Sequence, residues 1–237
     1  MYLRYGWTPP KLPEKCGCGE TFTTTHAMQC MVGGFRGYLH NEVNYIYYDA
    51  CKQAGFHDVC LEPKLQPLDG EVFKYKSANK DDEARSDLRV MGFWSRSRRA
   101  FFDVTAFSPF ARSHQGKTPS ALFQMHEQRK IREYRERILN VEHGDFNPLV
   151  FSTTGGMGYQ ATRVLKEIAK PLAEKQNLPF SVVMGRLRCR LSFSILRSSL
   201  ILLRGSRPKK PKKQVAEEPE EPEAIDLAVS EAHIELW

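Results

Sequence analysis

Long apolar runs are missing. No stretch of about eighteen uninterrupted apolar residues occurs in the 237-residue chain, so no membrane-spanning helix is expected. The N-terminus, MYLRYGWTPPKLPEK, has no apolar centre of signal-peptide length, which argues against secretion. No internal repeat is present. Neither a P-loop Lys-Ser/Thr nor a full G-x-G-x-x-G occurs, which weakens a nucleotide-binding reading. Cysteine is sparse at six, and three of the six crowd into residues 16–30. The scattered Cys51, Cys60 and Cys189 read as buried small apolar residues. A reducing, intracellular setting is expected, nuclear or cytoplasmic, where a Cys/His cluster points to metal rather than to a disulfide.

Acidic residues are also in deficit. The chain has 35 Lys+Arg and 28 Asp+Glu; residues 207–237 hold five and eight of these, which leaves a body of 30 against 20, net +10. A body this basic suits a polyanionic partner, since phosphate contacts supply most nucleic-acid affinity. Solubility charge is the plainer alternative. Hydrophobic content of 41% is ordinary for a globular protein, and the length allows one good core or two small ones.

Three regions are expected: a zinc knuckle over 1–33, an α/β domain over 34–205 and a disordered charged tail over 206–237. The tail opens with the basic run RPKKPKK, similar to a nuclear-localisation patch, and continues as an acidic, proline-punctuated segment. Within the domain, residues 33–56 read as a helix closed by Gly55, because Leu39, Val43, Ile46 and Tyr47 recur at helical spacing. HDVCLEP, RSDLRVMGFW and RRAFFDVTAF read as strands, with a polar loop over 66–84 after the first. A long helix is expected over 119–140, with Pro119 suited to its first turn. NPLVFSTTGG reads as a strand, followed by helices over 159–175 and 180–203. The last is apolar around most of its circumference, apart from a stripe of Arg186, Arg190, Arg197 and Arg204. The stripe is expected to contact phosphate or to pair with acids of the body.

Four groups of residues carry chemistry. Cys16, Cys18, His26 and Cys30 form C-x-C-x7-H-x3-C, four N/S ligands close enough for tetrahedral zinc. The alternative is loop cysteines beside an unrelated histidine. Asp87 and Asp103 lie among apolar strand residues, where a carboxylate is costly unless something pairs with it. Two acids on adjacent strands suit Mg²⁺, although two salt-bridged surface aspartates would show the same pattern. His126, Lys130 and Tyr134 share one face of the long helix. A lysine there could stabilise charge on a scissile phosphate, or the face is simply solvated. STTGGMG, between a strand and a helix, reads as a tight turn, with nucleotide binding as the lesser alternative.

The order of these elements resembles the restriction-like endonuclease region at the C-terminus of early-branching, site-specific LINE-type (non-LTR) retrotransposon proteins. That region carries a CCHC knuckle, an Arg-His-Asn element, a Glu-Pro element, a Pro-Asp, a second Asp and a downstream Lys followed by Tyr. The matching stretches are CGCGETFTTTHAMQC, LHNEV, LEPKLQ, RSDL, FFDV and QRKIREY. The resemblance implies a PD-(D/E)XK-type α/β core, a mixed sheet flanked by helices. It implies Asp87 and Asp103 as magnesium ligands, Lys130 as the displaced catalytic lysine and Glu62 as a further active-site acid. It also implies that the knuckle and the His40-Asn41 element contact DNA, with RNA a second candidate. Leu39 stands in place of the family's Arg, Ser86 in place of Pro, and Thr105 where many nucleases of this fold carry lysine. No reverse transcriptase precedes the knuckle, so insertion of an element by this chain alone is not expected. The expected function is a metal-dependent DNA endonuclease. The alternative is an inactive nucleic-acid-binding remnant.

Overall fold

The computed structural model describes residues 7–30, 32, 35–66 and 84–204. Most of the polar 66–84 loop and the whole 206–237 tail therefore lie outside the described residues. The helices are α1 (Thr24–Ala27), α2 (Phe35–Ala54), α3 (Pro119–Asn140), α4 (Tyr159–Gln176) and α5 (Phe180–Arg204). The strands are β1 (His57–Leu61), β2 (Leu88–Met91), β3 (Arg99–Phe107) and β4 (Asp145–Ser152). A 3-10 turn, Arg112–His114, precedes α3.

Local chemistry explains the boundaries. Gly55, at φ +90°, takes the left-handed conformation that ends α2, and its N–H donates to the Lys52 carbonyl. The Thr118 side chain caps α3 by accepting from the Ala121 N–H, with Pro119 in the first turn. Asn177, also left-handed, closes α4.

The four strands form one mixed sheet in the order β1-β2-β3-β4. The pairs β1/β2 and β2/β3 are antiparallel, and β3/β4 is parallel. A parallel pair needs a crossover, and α3 supplies it. Pro148 falls in β4, an edge strand, where a missing N–H is tolerated. Strand alternation divides the core. Ala100, Phe102 and Val104 of β3 join Leu88, Val90, Leu149 and Phe151 in the main cluster with α2, α4 and α5. Phe101 and Phe107 point the other way, toward Ile138 and Leu122 of α3. The sheet is therefore flanked by helices on both faces, and Asp103 belongs to the α3 face.

No helix among the described residues is long and apolar enough to cross a membrane. Cys51 is buried as expected, but Cys60 is only partly covered and Cys189 is exposed. Cys189 lies on the outward arc of α5, where Phe193, Leu196 and Leu200 are exposed too. An apolar sequence all round a helix did not mean burial all round.

Candidate functional site

The N-terminal cluster is built by a tight turn and a one-turn helix. The Cys16 N–H donates to the Glu20 carbonyl at 2.8 Å, and Gly19, at φ +96°, allows the reversal between them. The Thr23 hydroxyl accepts from the His26 N–H at 3.0 Å and fixes the start of α1. The Cys30 N–H donates to the His26 carbonyl at 2.8 Å, which returns the fourth side chain to the group. The ligand atoms of Cys16, Cys18, His26 and Cys30 all lie within 4.8 Å of one another, so the group could hold a metal ion. Cys16 Sγ and Cys30 Sγ are 3.7 Å apart, and Cys18 Sγ is 3.3 Å from His26 Nε2. Two sulfurs at about 2.3 Å around a tetrahedral zinc stand about 3.8 Å apart.

The acidic cluster forms where β3 outruns β2. Pairing of the two strands stops at Leu88–Phe102, so Asp87 stands at the point where they part. Its Oδ2 accepts from the Val104 N–H at 2.5 Å, a group no β2 residue reaches. The same oxygen lies 3.0 Å from His40 Nε2, which arrives from α2. Asn44, one turn further along α2, donates through Nδ2 to the Asp87 carbonyl at 2.9 Å.

Asp103 is almost fully buried on β3. Lys130 Nζ reaches it from α3, at 3.1 Å from Oδ2 and 3.4 Å from Oδ1. The ammonium also lies 3.8 Å from Glu133 and 4.9 Å from the Tyr134 ring centre. The Thr105 hydroxyl donates to Asp103 Oδ2 at 3.4 Å. Asp87, Asp103, Lys130 and His40 are thus brought together from four separate segments.

These groups perturb one another. Burial and the neighbouring Asp87 charge push the Asp103 carboxyl up to about 6, against the pull of Lys130 and His40. Burial opposes charge on His40, but the bond to Asp87 and its charge, helped by Asn41 and Asp103, hold the imidazole up at about 9. Burial raises the Tyr134 hydroxyl, and the Asp103, Glu133 and Asp87 charges raise it further.

Other sequence candidates are placed differently. Glu62 abuts Asp87 through the backbone, its N–H donating to the Asp87 carbonyl at 2.9 Å. Its carboxylate is half exposed and lies 4.0 Å from Arg85. His40 is tied to Asp87 instead of facing outward, and Asn41 Oδ1 lies 3.1 Å from its Nδ1. Arg186 and Arg197 are exposed on α5, whereas Arg190 is bound to Asp49 at 2.5 Å. The Arg204 side chain lies outside the described residues.

His126 shares the sequence face of Lys130 but not its site. Its ring stacks on Phe107 at 4.4 Å, and neither buried ring nitrogen has a hydrogen-bond partner among the described residues. Burial first, and then Arg129, His114 and Lys117, push it down to about 4.

STTGGMG is a tight turn, with Gly155 at φ +93°. A donor at the start of α4 is already used: Glu127 Oε1, from α3, accepts from the Gln160 N–H at 2.9 Å. A carboxylate of the chain sits where a phosphate would have to bind. Sequence reasoning missed Asn44, Glu127 and Glu133. Asn44 was findable, because it stands one helical turn from His40.

No family model matches the chain, and no curated protein matches it.

Proposed function

We propose that the cluster of Asp87, Asp103 and Lys130 is the centre of a metal-dependent DNA endonuclease of retrotransposon origin, on a restriction-endonuclease-like core. One observation carries the reading. Two acids and a lysine, far apart in the chain, meet in one largely buried cluster. The observed order of helix, three strands, helix and strand is the order read from the sequence periodicity.

The donor set fits Mg²⁺. Both ligands are hard carboxylates; burial first and then the Asp87 charge raise Asp103, and a divalent cation would relieve the repulsion between the two acids. When bound, Mg²⁺ would supply positive charge to the scissile phosphate. The chain's own groups do the rest. His40 and the Val104 N–H hold Asp87 by Oδ2, which leaves Oδ1 to face a cation. Lys130 turns from Asp103 to stabilise charge developing on the phosphate. Tyr134 and Phe146, stacked at 5.5 Å, wall the lysine on one side. The Cys/His cluster takes zinc in a structural role and gives the N-terminal segment a fixed surface toward nucleic acid.

A second reading draws on the same geometry. Lys130 already neutralises Asp103, and His40 already faces Asp87, so the cluster is also a self-balanced structural network. That is the arrangement expected of an inactive nucleic-acid-binding remnant. Plasmid nicking by the purified chain separates the two. Nicking in Mg²⁺ or Mn²⁺, none in EDTA, and loss in Asp103→Asn and Lys130→Ala with DNA binding retained, supports the nuclease. Binding without nicking in any metal supports the remnant.

A further inference from the structure

The solvent face of α2 is aromatic where a helix ordinarily carries charge. At a hundred degrees per residue, Tyr38, Asn41, Tyr45, Tyr48 and Lys52 fall on one arc, opposite the buried Leu39, Val43 and Ile46. Tyr38 is 43% and Tyr45 54% exposed, high for large rings on a helix that packs against the core. Tyr45 and Tyr48 stand 6.0 Å apart and tilted, and Lys52 Nζ lies 4.9 Å from the Tyr48 ring centre. The arc carries no carboxylate. Both acids of α2 turn toward α5, where Glu42 accepts from the Ser194 hydroxyl and Asp49 is bound to Arg190. The row is about 21 Å long at 1.5 Å per residue. It is also continuous with the acidic cluster, because Asn41 on the arc is bonded to His40, which holds Asp87.

We infer that this face of α2 is a stacking platform for the unpaired bases of single-stranded DNA. Every base presents a π-face, so rings without hydrogen-bond readout accept any sequence. Tyr38 and Tyr45 supply stacking area, with Tyr48 half-buried beneath them against the core; Lys52 supplies a cation for the backbone, and the absence of free carboxylates spares the phosphates repulsion. A duplex hides its base faces and gains nothing from the rings. The platform's role as an approach to the cleavage centre rests on the nuclease reading above. Its affinity for single strands does not.

The test is fluorescence anisotropy of the full, zinc-loaded chain with a labelled thymidine oligomer of about 20 nucleotides and with a duplex of equal length. Tyr45→Ala and Tyr38→Ala should each weaken single-strand binding about tenfold and change duplex binding by less than about twofold. Tyr45→Phe keeps the ring and should restore single-strand affinity. The salt dependence of single-strand binding should keep its slope in all three variants, because no phosphate contact is lost. Unchanged single-strand affinity in both alanine variants overturns the platform, as does an equal loss on duplex. Both sites are solvent-facing, and unchanged thermal melting of either variant establishes that the fold is intact. If no metal supports nicking while Tyr45→Ala still loses single-strand affinity, the nuclease reading fails and the platform stands. If nicking occurs and the tyrosine variants bind normally, the reverse holds.

Discussion

Lys130 Nζ lies 3.1 Å from Asp103 Oδ2, and this contact ties helix α3 to the middle of strand β3. Both side chains are largely removed from water. Breaking one partner of such a pair strands the other, at a cost of about 3–5 kcal/mol. Lys130→Met should therefore destabilise the chain by roughly that amount. Lys130→Met combined with Asp103→Asn should recover most of the loss, because neither charge is then left alone. Urea unfolding of the single and double variants measures the coupling.

Stability should fall on the acid side because of His126. Its folded pKa, about 4, lies below the ordinary imidazole value of 6.5. Between the two, the unfolded chain binds more protons, so stability rises with pH across that window and is lost as pH falls from about 6.5 toward 4. His126→Phe preserves the stack on Phe107 and should flatten this part of the profile, an effect of about 1–3 kcal/mol by pH 4. Melting temperatures of both proteins from pH 4 to 7.5 check it. An unchanged acid slope in His126→Phe would remove His126 as the cause.

A side chain at Gly158 would have to displace Glu127. A Cβ there would clash with Glu127 Oε1, the oxygen that caps α4. Gly158→Ala should cost about 1–3 kcal/mol through displacement of that carboxylate. Gly155 combines open space with a φ of +93°, so Gly155→Ala should lose about 1 kcal/mol through backbone strain alone. Thermal unfolding of the two variants ranks them.

Chelation should act on the N-terminal segment. One zinc per chain is expected by elemental analysis, and Cys16→Ser should abolish it. Amide exchange over residues 14–30 should speed up in the variant while α4 stays protected, since the cluster has its own ligands and the sheet does not share them.

The arginines of α5 should not behave alike. Arg186→Ala and Arg197→Ala remove exposed charges and should each lower the salt slope of DNA binding by up to about one. Arg190→Ala should leave the slope nearly unchanged and lower stability slightly, because its guanidinium is already committed to Asp49. Affinity measured from low to moderate salt distinguishes them.

The elements were legible where one face repeats. Leu39, Val43, Ile46 and Tyr47 marked α2, and Pro119 marked the start of α3, because these signals act within a turn or two of chain. The contact of Lys130 with Asp103 follows from no local rule, since the two residues are far apart in the chain. What lay beyond reach depended on which helix crosses which strand. His40 turns inward because α2 passes over the place where β2 and β3 separate. His126 leaves the Lys130 site because a helix running along β3 carries each turn past a different strand residue, and His126 arrives at Phe107. Glu127 fills the start of α4 because α3 passes beside it, which a reading of STTGGMG alone could not reveal.

The bond from the Val104 N–H to Asp87 decides which substitution of this acid is informative in the nicking test. Asp87→Ala would remove a carboxylate and also leave a strand amide without an acceptor, so lost cleavage would mix chemistry with a loosened strand. Asp87→Asn keeps an oxygen for that amide while it removes the charge and turns the second oxygen into an amide nitrogen. The asparagine variant, not the alanine, therefore isolates the effect of this acid's charge in the nicking test.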